Sequence, residues 1–397
     1  MPPSVRLPRE SLGASELGVV VNAGDPQSIA VGSYYAAARG IPADHIVNVL
    51  LPVADVVSQQ DFATAKAIVD AALGPEIQGL VLTWTRPYRA DCMSITSAFA
   101  LGFDPAYCSQ PCNGTAPVAY FDSPSLAPFT DHGIRPAMML AAATEAGAVA
   151  LVDRGVASDQ TFPLGDGVLV RTTDTARSVR WSAFETTVAD WSYPGGLALE
   201  YLDNSTGAGS DHVDNRTNLL FYFTGLADVP AIATNTYRPG AVADHLTSYG
   251  GQVPTSGQMS VVAWLEAGVT GSYGTVVEPC NYTQKFPDTR VLLPHYFRGA
   301  TLLEAYWKSV AWPGEGLFVG EPLARPWGST VSFAAGTLSI RTTTLVPGTT
   351  YELRAATSAA GPYVPVLGNI TVPHLEVTTV TLENATAPYY ELGAVGG

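Results

Sequence analysis

The sequence predicts an α/β domain with a mostly parallel sheet, followed by a small all-β domain. Three observations predict it. Short continuous apolar runs such as LGVVVNA and GLVLTW alternate with helical patterns up to about residue 327. After Trp327 no helix period survives, and turn signals recur in FAAGT, LVPGTT and TSAAGPY. Apolar residues make up 47% of the 397 and charged residues 14%, a composition of well-buried globular cores.

Leu17–Ala23 reads as a strand covered on both faces. Asp25-Pro26 then gives an N-cap and first turn, and the helix runs to Gly40. His45–Leu51 is the next strand, Ser58–Leu73 an amphipathic helix and Gly79–Trp84 a third strand. This order implies parallel pairing with helices on the faces. Residues 104–133 read as a long loop stapled by cysteine, and 134–156 as an Ala-rich helix. The strand VLVRTT, a helix over 176–191 and a polar loop over 202–216 follow. LLFYFT is a strand, residues 231–235 a short one, 259–267 a helix and 269–277 a strand. Residues 301–310 form an amphipathic helix and 317–319 the last strand of the first domain. The boundaries drawn are 1–327 for the α/β domain and 328–397 for a sandwich resembling fibronectin type III.

The net charge of −15 and the absence of any Lys/Arg run give no basis for nucleic-acid or anionic-membrane binding. No apolar stretch reaches the length of a membrane span, so no membrane insertion is expected. The opening MPPSVRLPRESLGASE lacks the apolar core of a signal peptide, so a secreted form would carry its signal upstream or have lost it. Six of ten asparagines stand in N-x-[ST] sequons: Asn113, Asn204, Asn215, Asn281, Asn369 and Asn384. Chance would give about one or two. The excess points to exposed acceptors facing a glycosylating compartment. Four cysteines, Cys92, Cys108, Cys112 and Cys280, then favour disulfides. Of the three possible pairings, a short Cys108–Cys112 closure leaves Cys92 with Cys280. A zinc site would need a CxxC or HxxxH pair, and neither occurs. No cofactor or metal is expected.

An open parallel sheet places its chemistry beyond the carboxyl ends of its strands. That rule selects Arg86, Tyr88, Arg89, Asp91 and Cys92 after GLVLTW, and Glu278 and Cys280 after VTGSYGTVV. It also selects Arg238, Asp244, His245 and Ser248 in YRPGAVADHLTSYGG. His245 as base beside Cys280 as nucleophile is a sound thiolate arrangement, with Arg238 or Asp244 orienting a substrate. A disulfide at Cys280 would exclude it. His132 before Gly133 reads as a turn residue, and Ser248 lacks a nucleophile elbow. Asp122, Asp131, Asp153 and Asp166 show no calcium-loop spacing and read as solvated turn residues.

The segments GDPQSIAVGSYYAAARGIP, LVLTWTRPYRADCMSITSAFALGF, YRPGAVADHLTSYGG, WLEAGVTGSYGTVVEPCN and GATLLEAYWKSVAWPGEGLFVGEPLARP resemble a bacterial protein family. That family accompanies exosortase and its PEP-CTERM sorting system. The resemblance covers about residues 15–327 and implies an extracytoplasmic setting. More distantly, LLFYFTG through GEPLARP is similar in layout to gingipain-like and caspase-like peptidases. Those enzymes place a His and then a Cys after successive parallel strands. The resemblance therefore implies a caspase/gingipain-like three-layer domain. Here LLFYFTG has no His, and VVEPC follows a later strand than the nucleophile strand.

Two functions are expected on these grounds. The first is a secreted or cell-surface glycoprotein that binds surface or matrix proteins or assembles with itself. The alternative is an extracellular cysteine hydrolase using Cys280 and His245.

Overall fold

The computed structural model describes residues 2–8, 11–108, 112–191 and 197–396. Its first strands are β1 (Ser4–Arg6), β2 (Leu17–Asn22), β3 (Ile46–Val49), β4 (Val56–Val57), β5 (Gly79–Leu82), β6 (Arg89–Ala90), β7 (Met93–Ser94) and β8 (Ala137–Met139). The middle of the chain adds β9 (Gly165–Arg171), β10 (Leu197–Asp203), β11 (Leu219–Thr224), β12 (Tyr237–His245), β13 (Gly271–Thr275) and β14 (Gly316–Gly320). The helices are α1 (Pro26–Arg39), α2 (Gln59–Ala72), α3 (Ile95–Leu101), α4 (Pro128–His132), α5 (Glu145–Ser158), α6 (Trp181–Asp190), α7 (Val262–Glu266), α8 (Thr289–Phe297) and α9 (Leu302–Ser309). Six strands close the chain: β15 (Thr330–Ala334), β16 (Thr337–Thr342), β17 (Tyr351–Ala356), β18 (Val364–Ile370), β19 (Thr378–Leu382) and β20 (Tyr389–Ala394).

The protein is a mixed α/β structure around one ten-stranded sheet in the order β10-β9-β11-β12-β13-β14-β8-β5-β2-β3. Every pair is parallel except β13 with β14. The sheet therefore has two parallel halves running in opposite directions. The carboxyl ends of β9 to β13 lie at one edge, and those of β2, β5 and β8 at the other. β2, β5, β11 and β13 are buried at every residue, as strands covered on both faces must be.

Local signals account for many of the boundaries. Asp25 caps α1 through the Gln27 amide, and Gly40 ends it in the left-handed conformation. Ser58 caps α2 through the Asp61 amide. Thr301 and Glu304 form a reciprocal capping box on α9. Three readings are corrected. Residues 134–156 are not one helix: β8 forms first, and α5 starts at the Thr144 cap. YRPGAVADH, expected to lie beyond a strand, is itself the nine-residue strand β12. Residues 231–235 form a short 3-10 turn rather than a strand.

Beyond residue 327, β15-β16-β19 and β1-β20-β17-β18 form two small sheets. They share a separate apolar core that includes Leu338, Ile340, Leu353, Val380, Tyr390 and Leu392. β1 pairs in parallel with β20, so residues 4–6 belong to this layer.

Arg39 at the end of α1 ties the first half-sheet to the seam. Its guanidinium holds Glu321, just past β14, through two bonds and also reaches Asp159 after α5. Glu321 is fully buried, and a buried carboxylate that loses its cation costs about 3–5 kcal/mol. Arg39→Met should lower stability by about that much, read as a lower urea midpoint. Adding Glu321→Leu should recover most of the loss. An unchanged midpoint in the single variant would contradict this account.

Candidate functional site

The carboxyl edge of β9, β11, β12 and β13 is where the sequence places its best candidates, and Arg180 organises it. This residue precedes α6 and is 3% exposed. Its Nη2 donates to Asp244 Oδ1 at 2.5 Å and to the Thr224 carbonyl at 2.9 Å. Its Nη1 donates to the Pro287 carbonyl at 3.2 Å. One side chain thus joins the ends of β11 and β12 to the segment that enters α8. Burial pushes the Asp244 carboxyl above the ordinary range, and the Arg180 charge pulls against it.

His245 is the next residue on β12 and points to the opposite face. Trp264 Nε1 donates to its Nδ1 at 3.0 Å, which fixes the proton on Nε2. Nε2 then donates to the Met259 carbonyl at 3.1 Å. Both ring nitrogens are engaged, and the residue is wholly buried. Desolvation, helped by Arg180 and Arg177 and opposed by the Met259 carbonyl, holds its pKa down at about 3. The ring is neutral and stays neutral at physiological pH.

The cysteines pair as Cys92–Cys108 and Cys112–Cys280, with Cα separations of 5.8 and 5.3 Å. This corrects the expected pairing of Cys108 with Cys112 and of Cys92 with Cys280. Those Cα distances lie within the reach of a bridge, and Cys112 is carried to Cys280 across 168 residues of sequence. Cys280 offers no thiolate in this state, so the Cys280–His245 pair is corrected as a catalytic unit. Asp244 serves Arg180 rather than a substrate. Arg238 sits exposed at the opposite end of β12 and is not brought to Asp244.

The remaining candidates scatter. Arg86 pairs with Asp55 at 3.0 Å beyond β5, which ends at the other sheet edge. His132 accepts or donates to Ser123 Oγ at 3.1 Å. Asp122, Asp131 and Asp153 bond His295, Ser125 and Tyr34, on different elements. Among the described residues, the group close enough to share a metal is Cys112, Glu278 and Cys280, and the disulfide occupies two of its three members.

Five sequon asparagines, Asn113, Asn215, Asn281, Asn369 and Asn384, are exposed. Asn204 is the exception, at 5% exposure. Its Nδ2 donates to Asp211 at 2.7 Å and its Oδ1 accepts from the Gly209 amide at 2.7 Å. The expected exposed acceptor at Asn204 is therefore corrected: its amide nitrogen is already used inside a loop.

Over Arg180 lies a cavity of about 270 Å³, walled by Phe121, Val179, Ala183, Phe286 and Pro287. A more open hollow of about 440 Å³ lies along α8 and shares Arg290 with it. Sequence reasoning missed Arg180 and this cavity. The rule that selected His245 would have found Arg180 had it been applied to the chain after VLVRTT.

No family model matches this chain, and no curated protein matches it. A solved structure titled "Structure of Protease" is similar over 96% of this chain and 97% of its own, with 9% identity and a TM-score of 0.49. A likeness of that degree says nothing about activity. The two disulfides suit an oxidising environment. Among the described residues no helix is long and apolar enough to cross a membrane.

The buried His245 makes a signed prediction. Its folded pKa of about 3 lies below the ordinary value near 6.5, so the unfolded chain binds the extra proton between those limits. This contribution to stability is complete above about pH 6.5 and falls by about 1.4 kcal/mol per unit as pH drops toward 3. Urea unfolding from pH 7 to 4 should show that slope, and His245→Gln should flatten it by nearly one proton. Equal slopes in both proteins would sink the assignment.

Proposed function

We propose that this protein is a secreted or cell-surface glycoprotein that acts by binding or assembly. Its scaffold is a caspase/gingipain-like three-layer α/β domain drawn at residues 1–327, which lends β1 to the C-terminal layer. A fibronectin type III-like sandwich over 328–397, completed by β1, is the interaction module. One observation carries the reading: the proposed Cys280–His245 pair and its neighbour Asp244 are engaged in holding the fold. Cys280 is bridged, His245 is bonded at both nitrogens, and Asp244 is bound to Arg180. The exposed sequons support an outer surface, as do the bridges. The family resemblance, with its exosortase-linked setting, agrees with the same location.

Glycopeptide mass spectrometry of native material should find glycan on Asn113, Asn215, Asn281, Asn369 and Asn384 and none on Asn204. Alkylation under denaturing, non-reducing conditions should label no cysteine. Bare asparagines throughout, with four alkylated cysteines, would remove the basis for an outer-surface glycoprotein. Hydrolysis of a mixed peptide and ester library that is lost in Cys280→Ser would favour the hydrolase instead.

A further inference from the structure

We infer that the cavity over Arg180 binds a neutral saccharide unit, an inference that rests on the binding reading and gives it a ligand class. Its position is the first argument. The cavity stands beyond the carboxyl ends of β9, β11 and β12, the crevice where open α/β sheets take their ligands. Its size is the second. About 270 Å³ falls just under the range of about 300–1,000 Å³ typical of drug-sized ligands. One pyranose ring with its hydroxyls suits it.

Charge decides the class. Two guanidinium groups line the cavity, and each already has a carboxylate. Arg180 holds Asp244 at 2.5 Å, and Arg290 holds Asp288 at 2.6 Å. An anion would have to compete with a carboxylate already in place, and a cation would have to displace a guanidinium. A neutral ligand does not face that cost. Among the described residues, Arg180 Nε is buried without a hydrogen-bond partner, which a neutral acceptor such as a sugar hydroxyl can supply.

The walls and rim match the two sides of a sugar ring. Phe121 is 36% exposed, and with Phe286, Val179 and Ala183 it offers an apolar surface for the C–H face. Ser182, Thr283 and Gln284 are exposed at the rim. Gln284 is exposed, and its amide offers both donors and an acceptor to a sugar hydroxyl. The larger hollow beyond Arg290 gives room for a second sugar residue of a chain.

The test uses the full chain with free glucose, galactose, mannose and N-acetylglucosamine, followed by saturation-transfer NMR. At least one should bind saturably. Phe121→Ala and Gln284→Ala should each weaken that sugar, Phe121→Ala by about tenfold. Both side chains reach solvent, so melting temperatures should not move. Saturable binding of none of the four sugars overturns the inference, and so does an affinity unchanged in Phe121→Ala. The broader reading is separable: bare asparagines and free thiols would remove the outer-surface setting while sugar binding lost in Phe121→Ala would stand.

Discussion

The antiparallel seam between β13 and β14 is the constraint on which the molecule depends. It joins two parallel half-sheets side by side with their strands running in opposite directions, Gly271 opposite Gly320 and Thr275 opposite Gly316. Glycine is required on both strands. A Cβ at Gly316 would run into the Tyr273 hydroxyl, and one at Gly271 would enter the Leu302 side chain. The Tyr273 hydroxyl instead donates to the Lys285 carbonyl at 2.5 Å and anchors the chain beyond the Cys112–Cys280 bridge. Because the halves run oppositely, the sheet has two carboxyl edges. The candidates after β5 and those after β12 start from different edges, and no single catalytic crevice can draw on both.

The seam also explains why ionic groups lie so deep. Lys285 and Glu315 meet at 2.7 Å with almost no exposure, Arg180 meets Asp244, and Arg39 meets Glu321. Removing two ions from water costs several kcal/mol each, so such pairs are weak sources of net stability. Their effect is positional. Each joins elements distant in sequence: α1 to the end of β14, the start of α6 to the end of β12, and the post-β13 loop to the start of β14. A pairing slipped by one residue would leave a lone buried charge, which costs far more than a misplaced methyl group.

Much of this was legible in the sequence where local chemistry decides the outcome. LGVVVNA, GLVLTW and LLFYFT announced buried strands, and Asp25, Ser58 and Thr301 announced helix starts. Reading failed where tertiary contacts decide. In IRPAMMLAAAT the alanines favour helix, but Leu80 and Leu82 extend their ladder through it and make β8 a strand. Pro239 and Gly240 kept β12 from being read as a strand. Pro294 hid α8, in which it stands inside the helix. The disulfide pairing was illegible in principle, since nothing near Cys112 encodes a partner 168 residues away. His245 was expected beyond a strand over residues 231–235 that does not form, and is instead the last residue of β12. Its fate depended on Trp264, whose indole claims the nitrogen a base would need.

On the proposed binding reading, the same buried groups serve as a fixed wall for recognition. A catalytic group must change its protonation or bonding during turnover, which a buried and fully bonded side chain resists. A binding wall must stay where it is. Arg180 cannot swing without abandoning Asp244, Thr224 and Pro287 together. The floor of the cavity is thereby preorganised, and a ligand meeting it loses little to rearrangement of the protein. Rigidity within and hydrogen-bonding freedom at the Ser182, Thr283 and Gln284 rim are the two properties that weak, selective binding of a neutral polar ligand requires.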